Sequence, residues 1–493
     1  MKKSIKYLLI ILAVVLVLGA AVLVLVLTDP NRGAAEEESS NASADTISLV
    51  SKEAADVASM EISFRDDADG SYTLLPQEAS DGDEPVFTIK GLETISLKTS
   101  ALKSVASFGH SLTATKDLGA LENKAEYGLD NPQISVKVTF TDGSTFAYDV
   151  GDETPNGGYY IKTADSDNLY VSTLGTNLLK KKLELVDTTI LSITAPQTEE
   201  EAAAGTAATN VFNTLKFSGA NFAEPIEIVN EPDSTIMSTY LIKKPRELGC
   251  NDENVGKITT SLESLSASSV AAVYPDEAVL KEYGFENPVC VLEFTANDTE
   301  HHTLRTGNRT DAGTYVMVDD VQVVYVVDNA TASGWADVTL HNLRSVFLAL
   351  PYIDNVEKVE IKTADVSHTF TLSRTLDEEK STEDDPSYIL TVKGTAGQDL
   401  TIDTFRKFYQ VAIGVQLFDA TEEEPEGKPY LTLTYRYYDS GEADVVEFYE
   451  SKESDRTYLA VVNGAVDGVV KKTTLESLLS NAKDMENDVN VGA

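Results

Sequence analysis

Several residue types that support common chemistry are scarce in this chain of 493 residues. It contains two cysteines, one tryptophan and five histidines. Two cysteines do not make a disulfide scaffold. The chain has no His-Glu-x-x-His, Gly-x-Ser-x-Gly or Gly-x-Gly-x-x-Gly sequence and no phosphate-binding glycine loop. These absences argue against a zinc protease, a common hydrolase or a nucleotide-dependent enzyme and leave an unfamiliar enzyme that acts on the cell envelope as an alternative. We predict no catalysis and no cofactor.

Positive charge is also in short supply. Lysine and arginine number 39 against 80 aspartates and glutamates, and the net charge is −41. Such a field repels phosphate backbones and anionic lipid surfaces, which argues against a nucleic-acid partner. The simplest explanation of the acidity is solubility, and a specific cationic partner is the alternative.

One long stretch lacks charge altogether, namely residues 7–27. As a helix it would span about 30 Å, the thickness of the hydrocarbon core of a bilayer. Lys2, Lys3 and Lys6 precede it and acidic residues follow it, so the positive-inside rule places the N-terminus in the cytoplasm. We predict an uncleaved signal anchor that crosses the cell membrane once, with the rest of the chain extracytoplasmic. A cleaved signal peptide is the alternative, although its apolar core is typically shorter.

A seven-residue motif occurs twice at an offset of 156. Residues 126–132 read Glu-Tyr-Gly-Leu-Asp-Asn-Pro and residues 282–288 read Glu-Tyr-Gly-Phe-Glu-Asn-Pro. The same offset relates Gly151 to Gly307 and Tyr159 to Tyr315, which indicates a duplication. Read structurally, the glycine ends a helical turn and Asn-Pro starts the next strand. A ligand contact is the other interpretation, and the candidate residues are Tyr127, Gly128, Asp130, Asn131, Pro132, Tyr283, Gly284, Asn287 and Pro288.

The pattern around the motif predicts an α+β fold. Residues 134–140 and 145–150 alternate apolar and polar side chains around Asp142-Gly143, which predicts a β-hairpin. An amphipathic helix is expected around residues 97–108 and a closing helix at 174–183. We expect a transmembrane helix followed by three tandem repeats of mainly antiparallel sheet with packed helices, the third repeat divergent. The predicted segments are 1–6 (cytoplasmic), 7–27 (anchor), 28–46 (stalk), 47–194, 195–207 (linker), 208–350, 354–484 and 485–493 (tail).

Three local clusters suggest metal or redox chemistry and have simpler explanations. Residues 66–70 resemble part of a calcium loop, but the EF-hand register fails and Asp-Gly is ordinary turn chemistry. His301 and His302 are adjacent on a predicted strand, so their side chains should point to opposite faces. Cys250 and Cys290 are either two isolated buried thiols or a disulfide.

The motif, the hairpin and the sequence at residues 151–162, all behind a single apolar N-terminal segment, resemble the bacterial family called domain of unknown function 4340. The resemblance is strongest over residues 90–190, weaker over 255–348, and fades in the third repeat. It implies a membrane-anchored protein without established catalytic residues. Members are often encoded beside ABC transporter components of the gliding-motility type, which implies an accessory role at the cell surface.

Two functions follow as expectations. The first is a non-enzymatic, extracytoplasmic accessory or scaffold protein, attached to the membrane through residues 7–27 and working with ABC transporter subunits. The second is a module that binds cell-envelope glycan or a divalent cation, suggested by tyrosine-rich strands and by the acidity.

Overall fold

Alternation of apolar and polar residues along the chain builds large antiparallel sheets. A computed structural model describes residues 46–77, 85–232, 238–382 and 386–491. In the strand Ile134–Phe140, Ile134, Val136 and Val138 are buried while Lys137 is exposed. This strand pairs with Thr145–Glu153 across the turn at Gly143, whose φ is +81°. The hairpin predicted around Asp-Gly is therefore present.

The described strands form three large sheets, and the strands of each follow in spatial order. The first sheet consists of Val86–Ile89, Asp67–Gln77, Val57–Phe64, Ile134–Phe140, Thr145–Glu153, Tyr159–Thr163, Asn168–Ser172 and Lys116–Ala120. The second consists of Leu248–Gly249, Tyr240–Lys244, Ile226–Asn230, Phe212–Ser218, Cys290–Ala296, Glu300–Thr310, Gly313–Val318, Val323–Val327 and Ser269–Val273. The third consists of Asp399–Leu400, Tyr388–Lys393, Ser367–Leu376, Val356–Lys362, Leu431–Tyr437, Ala443–Glu450, Thr457–Val462 and Ala465–Lys471.

Each sheet joins an early meander to a later one through its central pair of strands, Val57–Phe64 with Ile134–Phe140 in the first sheet. In each of the three parts of the chain, a short β-ladder pairs the segment before the sheet with the residues after the first long helix. These ladders join Ile47–Ser48 to Thr113–Ala114, Thr189–Ser192 to Ser264–Ser266, and Phe347 to Gln416. The predicted domain boundaries stay a prediction.

Helices are few and mostly short in the described parts of the chain. The α-helices are Thr99–His110, Glu199–Ala204, Asp252–Glu263, Glu277–Glu282, Asn329–Ala336, Leu340–Leu343, Ile402–Ile413 and Lys472–Glu486. The 3-10 helices are Ala54–Asp56, Lys124–Tyr127, Thr176–Leu179, Lys182–Leu185 and Ile353–Asn355. In the third sheet, the helices Ile402–Ile413 and Lys472–Glu486 bury Phe405, Phe408 and Leu475 in a core shared with the strands.

The expected fold class, α+β with a transmembrane helix, is wrong. The described residues form mostly antiparallel sheets with few helices, and none of their helices is long and apolar enough to cross a membrane. The predicted anchor at residues 7–27 lies outside the described residues. The closing helix expected at 174–183 is replaced by two 3-10 helices, because Lys180 and Lys181 adopt extended backbone between them. The Lys181 ammonium pairs with Asp67 of the first sheet, at 2.7 Å.

The described residues divide into two compact units, one ending at Val186 and one beginning at Asp187. The first unit contains the first sheet. The second unit contains the second and third sheets, and their cores include Phe217, Trp335, Phe370 and Tyr435.

Candidate functional site

The repeated motif forms the same turn in the first and second sheets. In the first, Lys124–Tyr127 is a single 3-10 turn that ends at Gly128 with φ +67°. In the second, Glu277–Glu282 is a short α-helix and Gly284 has φ +87°. A left-handed glycine after a helical turn is the C-terminal cap predicted from the sequence.

A polar side chain fills the space that a Cβ would need at each of these glycines. A Cβ at Gly128 would overlap the carboxylate of Asp152, and a Cβ at Gly284 would overlap the amide of Asn308. The Asn308 amide also donates to the carbonyl oxygen of Glu282, at 2.9 Å. Asp152 and Asn308 occupy the same position, directly after the equivalent glycines Gly151 and Gly307. The residue differs between the two copies, but both have a polar side chain there.

The glycine that follows in the next hairpin is required by a backbone approach. A Cβ at Gly151 would collide with the carbonyl oxygen of Tyr127, and a Cβ at Gly307 would collide with that of Tyr283. The backbone N–H of Asn308 donates to the same Tyr283 oxygen, at 2.7 Å. The structure therefore brings motif and hairpin together at both predicted positions, Gly151 and Gly307.

A pair of tyrosine rings lies beside each motif. The rings of Tyr127 and Tyr160 meet edge to face with centroids 4.9 Å apart, and those of Tyr283 and Tyr315 stack at 4.2 Å. The strand register pairs Val150 with Ile161 and Thr306 with Val316. The equivalent of Tyr315 is therefore Tyr160, and the expected match with Tyr159 is wrong by one residue because the loop before Tyr315 is one residue shorter.

The polar residues of the motif do not converge. Asp130, Asn131 and Asn287 are exposed, while Pro132 and Pro288 are partly buried where the next strand begins. The carbonyl oxygen of Asn131 accepts a hydrogen bond from Arg65, at 2.7 Å, and that of Pro288 accepts one from Ala220, at 3.0 Å. The contacts join neighbouring chain segments, and the interpretation of these residues as a ligand site stays a prediction.

Within the second unit, three charged residues meet between the second and third sheets. Arg246 and Arg344 both form ion pairs with Asp467. The Asp467 side chain is fully buried and that of Arg344 is 4% exposed. Burial, with a smaller contribution from the charge of Arg246, lowers the pKa of Arg344 to about 10, so it keeps its proton at neutral pH. Removing one member of a buried ion pair leaves the other charge uncompensated, which is strongly destabilising.

The chain passes from this junction into the third sheet. The Arg344 guanidinium donates to the carbonyl oxygen of the next residue, Ser345, at 3.0 Å. Two backbone hydrogen bonds then hold residues 346–348 against the residues after the helix Ile402–Ile413: Leu417 donates to Val346, at 2.8 Å, and Leu348 to Val415, at 3.3 Å. A cavity of about 100 Å³ remains beside the two arginines, and Tyr437, Asp444 and Asn463 of the third sheet also line it. The Tyr437 hydroxyl donates to Asp444, at 2.5 Å, and the Asn463 amide donates to it at 2.9 Å.

The other sequence candidates do not assemble into a centre. Asp67 accepts from the Gly70 amide at 2.7 Å, as in an ordinary turn. His301 contacts Thr295 at 3.0 Å, whereas His302 contacts Asp319 at 2.9 Å. In the part of the chain that the structure describes, no group of three or more histidine, cysteine, aspartate or glutamate side chains is placed to hold a metal ion.

The two cysteines are free and buried. Burial raises the pKa of both Cys250 and Cys290 to about 12. The Cys290 thiol donates to the carbonyl oxygen of Trp335, at 3.8 Å. Of the two interpretations from the sequence, isolated buried thiols is the one that the structure supports.

Sequence reasoning missed the charged junction of the second unit. Arg246, Arg344 and Asp467 are far apart in the chain, and no spacing relates them. A local pattern reports neighbours along a helix or strand, whereas this cluster exists only once two sheets are packed. Asp467-Gly468 reads in sequence as an ordinary turn.

The chain matches the model of one protein family, described as Domain of unknown function (DUF4340), over residues 99–210 and 241–426. These ranges include both copies of the motif, the first long hairpin and the charged Arg246 and Arg344. No curated protein and no solved structure matches the chain. Because the family model covers more than half of the sequence, the chain belongs to the DUF4340 family.

Proposed function

We propose that this protein is a non-enzymatic accessory or scaffold protein, held at the outer side of a bacterial cell membrane, that works with an ABC-type transport complex. Attachment would run through the uncharged residues 7–27, with Lys2, Lys3 and Lys6 on the cytoplasmic side. The transporter partner is suggested by the gene neighbourhoods of family members.

The observation that carries the scaffold role is the buried junction of Arg246, Arg344 and Asp467. It joins Arg246 and Arg344, which lie beside the second sheet, to the strand Ala465–Lys471 of the third sheet. A scaffold needs parts that keep their relative positions, because binding surfaces that are already in place lose less entropy on association. The three charged groups are occupied with each other, so they serve this purpose better than they serve catalysis.

Affinity purification tests the proposed role. Tagged full-length protein would be recovered from gently solubilised membranes, and we expect transporter subunits to be enriched over a control membrane protein that carries the same tag. Repeated recovery of the protein alone would overturn the proposal. Protease treatment of intact cells tests the side of the membrane separately, since an extracytoplasmic chain should be cut and a cytoplasmic one should not.

A further inference from the structure

The strand Ser269–Val273 is an edge strand of the second sheet and has only small or apolar side chains. It pairs with Val323–Val327 on one side and is last in the strand order. Its sequence, Ser-Val-Ala-Ala-Val, contains no charge and no proline. Sheet edges are normally protected by lysine, by proline or by a covering segment, since an open row of backbone groups accepts another strand. The strand itself carries one disruption of the ladder, the register shift between Val270 and Ala272.

Two exposed apolar side chains stand at the end of this edge. Tyr274 is 45% exposed and Val321 is 40% exposed. The amide of Tyr274 donates to the carbonyl oxygen of Gln322, at 2.8 Å, which holds the two turns side by side. Exposed tyrosines are favoured anchors of protein interfaces, because they bury a large area at low cost in side-chain entropy.

The exposed charged side chains next to Tyr274 and Val321 are acidic, while Arg305 donates to the carbonyl oxygen of Asp319 in the same turn, at 2.8 Å. Asp276 and Glu277 follow Tyr274, Asp320 precedes Val321, and all three are exposed. Residues 269–280 and 310–323 contain no lysine or arginine. A basic segment would therefore be attracted to this edge, whereas a second copy of the same acidic chain would be repelled.

We propose that the edge strand Ser269–Val273, with Tyr274 and Val321, binds an extended basic segment of a partner protein by β-strand addition. Backbone hydrogen bonds along the edge supply affinity, and alternate side chains of the added strand supply specificity. The aromatic ring and the acids at the end of the edge select a segment that mixes apolar and basic residues. This inference deepens the scaffold role and rests on it.

A fluorescent peptide of alternating lysine and valine is the probe. It would be titrated by fluorescence anisotropy against the full-length protein in mild detergent at low ionic strength. We expect saturable binding that Tyr274→Ala weakens by about tenfold, and that the double charge reversal Glu277→Lys with Asp320→Lys weakens at least as much. A peptide of alternating glutamate and valine should not bind.

Matched variants separate this edge from general acidity. Tyr352 is 44% exposed, so Tyr352→Ala removes an equally exposed tyrosine elsewhere in the same unit. Exposed Glu422 and Glu424, both changed to lysine, give the same change of net charge. We expect both controls to bind like the original protein, and equal losses in controls and edge variants would overturn the proposal.

The affinity purification then distinguishes the two proposals. If the original protein and its Tyr274→Ala variant recover transporter subunits equally, the edge is not the docking surface and the scaffold role stands. If the original protein recovers none, the scaffold role fails. Loss of recovery in Tyr274→Ala, but not in Tyr352→Ala, supports both.

Discussion

The α-carbon of Gly307 lies directly against the carbonyl oxygen of Tyr283, so that no side chain fits between the motif and the next hairpin. Gly151 and Tyr127 repeat the relationship in the first sheet. The motif therefore contacts the hairpin through backbone atoms. This contact explains why both copies have a glycine at the hairpin position, Gly151 in the first and Gly307 in the second.

Substitution of Gly307 by alanine should destabilise the second unit. The added Cβ would meet a backbone oxygen, which cannot rotate away, and overpacking of this kind costs about 1–3 kcal/mol. Urea unfolding followed by the fluorescence of the single tryptophan, Trp335, measures the loss.

Gly256 provides the matched control for that variant. It lies inside the helix Asp252–Glu263, and a Cβ there would meet nothing within 4 Å. Alanine at this position should raise the stability by about 0.5–1 kcal/mol, because it restricts the unfolded chain and favours the helix. If the two alanine variants shifted the unfolding midpoint equally, the close approach at Gly307 would not be the cause.

Local features of the sequence predict local structure well. The hairpin at Ile134–Phe140, the left-handed Gly128 and the helix Thr99–His110 follow from alternation, glycine and helical spacing. The closing helix at 174–183 could not be excluded by spacing alone, since the extended backbone at Lys180 and Lys181 accompanies tertiary contacts, such as the ion pair of Lys181 with Asp67. The junction of Arg344 with Asp467 was beyond prediction for the same reason. Residues that are adjacent in space but distant in sequence leave no period to detect.

Replacement of Asp467 by asparagine should weaken the junction between the second and third sheets. The isosteric side chain removes the charge that faces Arg344, which is almost fully buried. Leaving a buried charge without its partner costs about 3–5 kcal/mol, and thermal unfolding of the full chain should show a lower midpoint for the second unit.

An exposed ion pair of the same residue types serves as the control. Arg374 pairs with Asp439 at 2.6 Å, and the Asp439 side chain is 84% exposed. Asp439→Asn should cost less than about 1 kcal/mol, because water screens the exposed pair. Comparable losses for the two variants would mean that the Asp467 junction contributes no more than a surface pair.

The cysteines should be inert in the folded protein. The pKa of each thiol is raised to about 12 by burial. A raised thiol pKa keeps the group protonated up to that pH, and the thiolate is the species that reacts. Maleimide labelling at pH 8 should therefore modify neither Cys250 nor Cys290 in the native protein and both after denaturation. Prompt labelling of the native protein, or a mass that indicates a disulfide, would contradict this arrangement.

The single tryptophan forms a buried hydrogen bond with one threonine. The indole N–H of Trp335 donates to the Thr306 hydroxyl at 2.9 Å, and both side chains are fully buried. Thr306→Val keeps the shape but removes the acceptor, and an unsatisfied buried donor costs about 1–3 kcal/mol.

Thr371→Val, at a half-buried strand position of the third sheet, is the control and should change stability by less than about 0.5 kcal/mol. Because the valine side chain leaves the packing around the ring intact, we expect an unchanged native emission maximum with an earlier urea midpoint for Thr306→Val. A red-shifted native emission would instead show that water reaches the ring, and a midpoint equal to that of Thr371→Val would show that the hydrogen bond contributes nothing to stability.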